Sequence, residues 1–490
     1  MLRFSRCVCA VMAVAVGAAV GCREEHQVVP EEQQPTGYSF AQGYPAGDAA
    51  QRAYADNDFS RAVQAYHFWY PTVSAEGIFQ GNRDAGIQDN AGGVILSAGP
   101  RQVAFTANSD TPYGAAALDV SQGPMVIEVP AGPFIGLVDD HNQTWVMDLG
   151  IPGPNAGKGD KVVIVGPGYA GKIPKGYAVG KSETYKLLLA VRALPVNGDQ
   201  KGAMDALRTV KVYPLNAKDK VLVWTDVSDK KMDATCLRWE DNMQYWQELK
   251  KVVDEEPVST RTPGMSGMLA AIGIVKGQAF NPSTRMSGIL LRAAMTARDQ
   301  MLVSAFASNR ADRLAWQGRR WQWVGLVPNA TQFETPMGLD LEARDRWFIQ
   351  AIVTSPAMFR RTAGAGSLYW LASRDSTGAY LDGGKSYKLT VPQPVPAKLF
   401  WSVTAYDAQT RSEVQTDQDK AALRSMFELK DASKTEPTEL YFGPTAPAGH
   451  EGQWIKTAPG RGWFAYFRIY GPEGAAFDGS WKPGDLEVVK

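Results

Sequence analysis

The spacing of hydrophobic and polar positions changes character twice along this chain. From about residue 95 to 195 the apolar runs are short. PMVIEVP, FIGLVDD, TWVMDLG, KVVIVGP and YKLLLAVRAL are separated by Gly, Pro and Asn clusters, which predicts strands joined by turns. From about 215 to 360 the spacing becomes helical. DATCLRWEDNMQYWQELKKVVDEE brings Leu237, Met243, Trp246 and Leu249 near one helical face, and GMLAAIGIVKGQAF and SGILLRAAMTARDQMLVSAFASNRADRLAW continue the pattern. After about 365 strands return. Ahead of the first strand region, residues 52–70 read as a helix with its stop at Tyr70-Pro71.

The two strand regions repeat one another. LDVSQGPMVIEVP is answered by LDGGKSYKLTVP, FIGLVDDHNQT by LFWSVTAYDAQT, VVIVGPGYAGKIPKGY by LYFGPTAPAGHEGQWI, and YKLLLAVRAL by FAYFRIYGP. The offset grows from 263 (Asp119 to Asp382) to 276 (Arg192 to Arg468), as loop insertions produce. Four blocks in one order predict a mainly β protein with a helical segment: two related antiparallel β-sandwich or jelly-roll domains. Hairpins that merely share turn chemistry are the alternative. The expected boundaries are a signal peptide at 1–21, a lipidated Cys and disordered tether at 22–50, a first β domain with a leading helix at 51–215, a helical connection at 216–364 and a second β domain at 365–490.

Composition narrows the function classes. The 490 residues carry 51 basic and 51 acidic side chains, a zero net charge that argues against a nucleic-acid surface. Arg3 and Arg6 precede the apolar run CVCAVMAVAVGAAV, a secretory leader too short to span a bilayer comfortably. It ends in Ala19-Val20-Gly21-Cys22, which resembles a lipobox, with Ala19 where Leu is usual. A plain secreted protein is the other reading. Lipidated Cys22 would tie the chain to a bilayer through the polar tether. Arg23 rather than Asp follows Cys22, a resemblance that implies the outer membrane of a bacterial envelope, facing the periplasm. Cys7 and Cys9 fall in the leader, so only Cys236 remains and no intrachain disulfide is available.

Several segments carry a family resemblance. LDVSQGPMVIEVP, VDDHNQTWVMDLGIPGPNAGKG, VYPL and IGIVKGQAFNP resemble the bacterial domain of unknown function 1254. YLDGGKSYKL, FWSVTAYD, GQWIKTAPG and FRIYGP resemble its companion, the domain of unknown function 1214. Together they cover most of the chain from about 55 to 490. The resemblance implies β-rich domains and a frequent envelope location, and it assigns no activity. Gln453 stands where the second family usually carries Asn.

Three segments offer chemistry. TANSDTPYG (106–114) places an amide, a carboxylate and a phenol together in Asn108, Asp110 and Tyr113, a set suited to a polar ligand. A purely structural Asx-type turn explains the same residues. In VDDHNQTW (138–145) an extended chain puts Asp139 and His141 on one face and Asp140 on the other. Asp139 and His141 could ligate a divalent metal, though the set is incomplete. Asp139, Asp140 or His141 could instead serve acid/base catalysis, or the segment could be a polar hairpin loop. In WFAYFRIYGP the alternation sets Arg468 and Tyr470 on a face opposite a core face. Arg468 could hold an anionic or sugar ligand beside Tyr470 and Asp407, or pack structurally against Asp407. Its repeat partner Arg192 sits among apolar residues. His67, in AYHFWYP, reads as packed and hydrogen-bonded.

No P-loop, dinucleotide-binding glycine motif, H-E-x-x-H, paired C-x-x-C or G-x-S-x-G elbow occurs. The leading expectation is an envelope lipoprotein that binds a small polar or carbohydrate ligand between or within its β domains. The alternatives are an envelope hydrolase or metal-assisted enzyme using Asp139, Asp140 and His141, and an oligomeric structural lipoprotein assembled through its helices.

Overall fold

The computed structural model describes residues 37–328, 330–364 and 366–489. The leader, the lipobox and Cys22 lie outside these residues. The chain divides into a short N-terminal unit ending at Tyr54 and a large unit from Ala55 onward. Within the span expected to be a tether, Phe40–Ala41 pairs with Tyr44–Pro45. Helix α1 then begins (Ala49–Asp84). Every later element belongs to the large unit.

Ten strands build the first β region: β1 (Gly92–Leu96), β2 (Tyr113–Asp119), β3 (Met125–Val129), β4 (Phe134–Asp140), β5 (Trp145–Gly150), β6 (Asp160–Val165), β7 (Ala178–Lys181), β8 (Lys186–Ala193), β9 (Lys211–Pro214) and β10 (Val223–Asp226). They form two sheets, ordered β10-β1-β2-β8-β4-β5 and β7-β6-β3-β9. Their facing sides enclose a core that includes Leu118, Ile127, Val138, Ile164, Leu189 and Val191. Period-2 alternation explains this: in β8, Leu187, Leu189, Val191 and Ala193 face inward, while Leu188, Ala190 and Arg192 face out.

The second β region has β11 (Gln322–Trp323), β12 (Ser367–Ala372), β13 (Ser386–Val391), β14 (Ala397–Asp407), β15 (Ala422–Arg424), β16 (Thr438–Gly443), β17 (Trp454–Lys456), β18 (Trp463–Pro472) and β19 (Glu487–Val489). Its sheets run β11-β12-β18-β14-β15 and β17-β16-β13-β19. Adding ten to each label converts β2-β8-β4-β5 into β12-β18-β14-β15, and β7-β6-β3-β9 into β17-β16-β13-β19. Even the parallel pairs correspond, β7 with β6 and β17 with β16. The two sandwiches are therefore copies of one topology, and all four sequence blocks fall on corresponding strands. Strand residues slightly outnumber helical ones, 27% against 25%, so the mainly β class holds.

Helices fill the space outside the sheets: α2 (Gln200–Leu207), α3 (Met243–Glu255), α4 (Pro263–Ala271), α5 (Thr284–Phe306), α6 (Leu341–Phe348) and α7 (Pro356–Phe359). A core of Tyr66, Tyr70, Trp246, Leu290 and Trp347 extends onto Tyr406, Phe464 and Tyr466, the outward face of the second sandwich. Ile78 and Phe79 of α1 meet Ala117, Leu137 and Leu188 on the outward face of the first. Helices thus cover the corresponding outer face of each sandwich.

Several helix expectations change: α4 ends at Ala271 and α5 at Phe306, short of the stretches through Phe280 and Trp316 that read as helical. Helix α1 does not stop at Tyr70 but runs through Pro71. Proline removes the amide that would bond the His67 carbonyl. The Arg344 guanidinium supplies donors instead, to His67 O at 3.2 Å and Phe68 O at 2.8 Å. The helix expected across Asp233–Glu256 begins only at Met243, because Asn242 caps it by accepting from Gln244 N. Cys236 lies in the turn before it, fully buried, and burial pushes its thiol up to about 12. Among the described residues no helix is long and apolar enough to cross a membrane.

Candidate functional site

The TANSDTPYG segment leaves the first sandwich and lies against the outward face of the second. Its own bonds form the expected turn: Asp110 N donates to Asn108 Oδ1 at 3.1 Å, and Asn108 N and Nδ2 both donate to Tyr113 Oη, at 3.3 and 2.8 Å. Thr106 adopts a positive φ of 43°, a strained conformation for a β-branched residue. Local turn chemistry does not account for the remaining contacts. Ser402 Oγ and Tyr470 Oη both donate to Asp110 Oδ2, at 2.7 and 3.0 Å. Arg468 donates from Nη2 to Thr106 O at 2.9 Å and from Nη1 to Thr404 Oγ1 at 3.1 Å. Tyr406 Oη donates to Ala107 O at 2.7 Å, and Ser109 N donates to Glu413 Oε1 at 2.9 Å.

Alternation along two strands explains why these groups converge. In β18, Trp463, Ala465, Phe467 and Ile469 enter the sandwich core, so Phe464, Tyr466, Arg468 and Tyr470 project outward. In β14, Trp401, Val403 and Ala405 point in, leaving Ser402, Thr404 and Tyr406 out. Antiparallel register sets Arg468 opposite Ser402 and Tyr466 opposite Thr404. Asn108, Tyr113, Arg468 and Tyr470 are thus brought together with Asp110, as a polar ligand site requires.

The cluster is buried but not fully satisfied. Asp110, Asn108, Arg468 and Glu413 are each at most 3% exposed. Asp110 Oδ1, Thr111 Oγ1, Glu413 Oε2 and Arg468 Nε have no hydrogen-bond partner among the described residues. A buried orphan polar atom costs about 1–3 kcal/mol, so four in one place call for a reason. Burial, and next the Asp110 carboxylate, push the Glu413 carboxyl up to about 7. Arg192 enters the same neighbourhood from the first sandwich, its guanidinium carbon 4.7 Å from the Tyr113 ring centroid.

Asp407 does not join this set. It lies opposite Trp463, at the far end of the strand pair from Arg468. Its carboxylate is held by Arg461, Nε to Oδ2 at 2.6 Å and Nη2 to Oδ1 at 2.7 Å. The expected Arg468–Asp407 pairing is therefore replaced by Arg461–Asp407. A cavity of about 340 Å³ opens there, lined by Asp407, Arg461, Glu413 and Thr457 among others.

Asp139, Asp140 and His141 part company because strand β4 ends at Asp140 and the chain turns, with Gln143 at φ 55°. Asp139 Oδ2 accepts from Thr354 N at 2.7 Å, and burial raises its carboxyl well above the usual range. Asp140 Oδ1 accepts from Asn142 N and Thr144 N, at 2.8 and 2.9 Å; burial raises it to about 6. His141 lies between two carboxylates, Nδ1 3.0 Å from Glu256 and Nε2 3.4 Å from Glu76. Burial alone would lower the imidazole, but the Glu256 and Glu76 carboxylates beside it prevail and raise it. Glu76 also binds Lys251 at 2.7 Å and Arg83 at 2.9 Å. Gln143 completes the hub, donating to Pro71 O and accepting from Val353 N, at 2.7 and 2.6 Å. The turn thus ties α1, the end of α3 and the chain before α7 to the first sandwich. Among the described residues no group of three or more His, Cys, Asp and Glu is arranged to hold a metal ion. His67 is hydrogen-bonded to Asp345 at 2.6 Å and Gln300 at 3.0 Å.

Sequence reasoning missed Ser402, Thr404 and Glu413. The alternation in FWSVTAYD could have found the first two, since Ser402 and Thr404 share the parity that faces Arg468 across the strands. Glu413 follows an irregular hairpin and carries no such signal.

These features define a class of protein: two copies of one β-sandwich, each capped by helices, with a loop of the first forming a polar cluster on the second. Residues 96–214 match the family described as Protein of unknown function (DUF1254) and, further along the chain, residues 366–474 match the family described as Protein of unknown function (DUF1214). No curated protein matches it. Among solved structures it is similar to the VPA0106 protein of Vibrio parahaemolyticus, with a TM-score of 0.54 at 16% identity over 88% of this chain and 100% of that one. An uncharacterised protein from Burkholderia cenocepacia aligns at TM-score 0.40 and 12% identity, over 90% of this chain and 97% of that one.

Proposed function

We propose that this protein is a bacterial envelope lipoprotein that binds a small polar ligand where its two β domains meet, around Asn108, Asp110, Tyr113, Arg468 and Tyr470. One observation carries the reading: buried donors and acceptors from both domains, Asp110 Oδ1 and Arg468 Nε among them, are left without partners in one cluster. A ligand with its own donors and acceptors would satisfy atoms that the fold leaves open. The Asp139–Asp140–His141 alternative has less support: Asp139 Oδ1 and His141 Nε2 are also without hydrogen-bond partners, but the three side chains turn to separate segments, at Thr354, Thr144 and Glu256, and do not converge on one site.

The test is a thermal-shift screen of the full-length protein against sugars, sugar acids, amino acids and small organic acids, repeated with Asp110→Asn. We expect at least one class to raise Tm in the parent and to lose most of that effect in the variant. A screen in which every compound acts equally on both proteins would remove Asp110 from any binding site. Envelope anchoring is tested separately: Cys22→Ala should move the protein from the membrane fraction to the soluble one.

A further inference from the structure

Arg192 and Arg468 occupy the corresponding position of the duplicated strand, β8 in one sandwich and β18 in the other, and both project outward. Their circumstances differ. Arg468 is buried and spends its terminal nitrogens on Thr404 and the Thr106 carbonyl. Arg192 is only half-buried. Among the described residues its guanidinium has neither a hydrogen-bond acceptor nor a carboxylate within ion-pair distance; it lies over the Tyr113 ring, with the Tyr369 and Tyr470 phenols and the Arg468 guanidinium also near it. All its donors are therefore open.

Tyr113 adds a second donor. Its hydroxyl oxygen accepts two N–H bonds from Asn108, so its own proton is not used in either. Apolar side chains flank Arg192 along its own sheet: Ile135 lies opposite it on β4, and Ala190 and Ala115 are paired one step along. All three are half-buried.

From a free guanidinium, a free phenol proton and an apolar floor we infer that the ligand of this site is an organic carboxylate with an apolar body, its carboxylate held by Arg192 and Tyr113. The geometry suits a planar oxyanion that a guanidinium grips with two parallel N–H bonds. The apolar body would lie over Ile135, Ala115 and Ala190. This inference rests on the proposed binding function and specifies the charge that function requires.

The probes are benzoate and its neutral isostere benzamide, titrated calorimetrically into the full-length protein, Arg192→Gln and Arg192→Lys. Benzoate should bind at least tenfold more tightly than benzamide. Arg192→Gln should abolish that preference, and Arg192→Lys should retain part of it, as a point charge without the planar fork would. Far-ultraviolet circular dichroism of each variant establishes that the fold is intact. Equal binding of the two probes, or a preference that survives Arg192→Gln, overturns the carboxylate assignment and leaves the polar site standing. Binding of neither probe also overturns it. The Asp110→Asn screen then decides separately whether any ligand binds.

Discussion

Glu413 is a residue of the interdomain cluster whose charge changes near neutral pH. Its carboxyl sits in the interdomain cluster facing Asp110, the Ser109 amide, Arg468 and Arg424, and burial followed by the Asp110 charge holds it at about 7. An unfolded glutamate titrates near 4.5. Between those values the folded protein binds more protons than the unfolded chain, so this group lowers stability as pH rises, and the loss is complete above about 7. Asp140 and His141 act in the same direction, since their folded values are also raised. Glu413→Gln removes one share of that slope. Its Tm should fall less than that of the parent between pH 5 and 8, measured by differential scanning calorimetry. Parallel curves for the two proteins would show that Glu413 ionises normally. The sequence offered no hint of this residue, whereas it did offer Asn108, Asp110, Tyr113, Arg468 and Tyr470. Those five sit in a turn motif or in a strict alternation, both local signals. The Asp110 carboxylate and Ser109 amide that meet Glu413 come from about 300 residues away, and no local pattern encodes them.

At the level of elements, the expected helix stop at Pro71 shows where local rules yield. The rule identified the lost hydrogen bond correctly, but Arg344 of α6 replaces it from a distance. A second conflict between local and tertiary preference lies further along α1. Gly77 and Gly81 are one helical turn apart, and both face the chain at 233–236. A Cβ at Gly77 would stand 2.6 Å from the Thr235 carbonyl oxygen, and one at Gly81 would stand 2.4 Å from that of Asp233. These are backbone atoms that cannot swing aside. Alanine favours a helix interior over glycine by about 1 kcal/mol, so propensity alone predicts that Gly81→Ala stabilises. Close packing predicts the opposite, with overpacking costing about 1–3 kcal/mol. We expect Gly81→Ala to lower the midpoint of urea unfolding. A higher midpoint would mean that α1 can move away from the 233–236 segment without penalty.

On the scale of the whole molecule, the duplication was legible because strand alternation and Gly/Pro punctuation survive in both copies. How the copies are joined was not, since the joining residues pair across long separations. Arg411 illustrates this. Its guanidinium meets Glu240 at 2.6 Å, with both side chains at most 5% exposed, and it lies over the Phe105 ring at 4.6 Å. Glu240 also accepts from Tyr70 Oη of α1 at 3.0 Å, and the Arg411 carbonyl accepts from Thr106 N at 2.8 Å. One hairpin of the second sandwich thereby holds α1, the connecting segment and the loop that carries Asp110. Neither sandwich can unfold without uncovering this pair and the aromatic core beside it, so the large unit should melt in a single calorimetric transition despite its two β domains. Arg411→Met leaves Glu240 buried and unpaired, a loss of about 3–5 kcal/mol. If the sandwiches are coupled as the contacts indicate, that variant should still melt in one transition, shifted down as a whole. If they are independent, only the second sandwich should lose stability, and the endotherm should split in two.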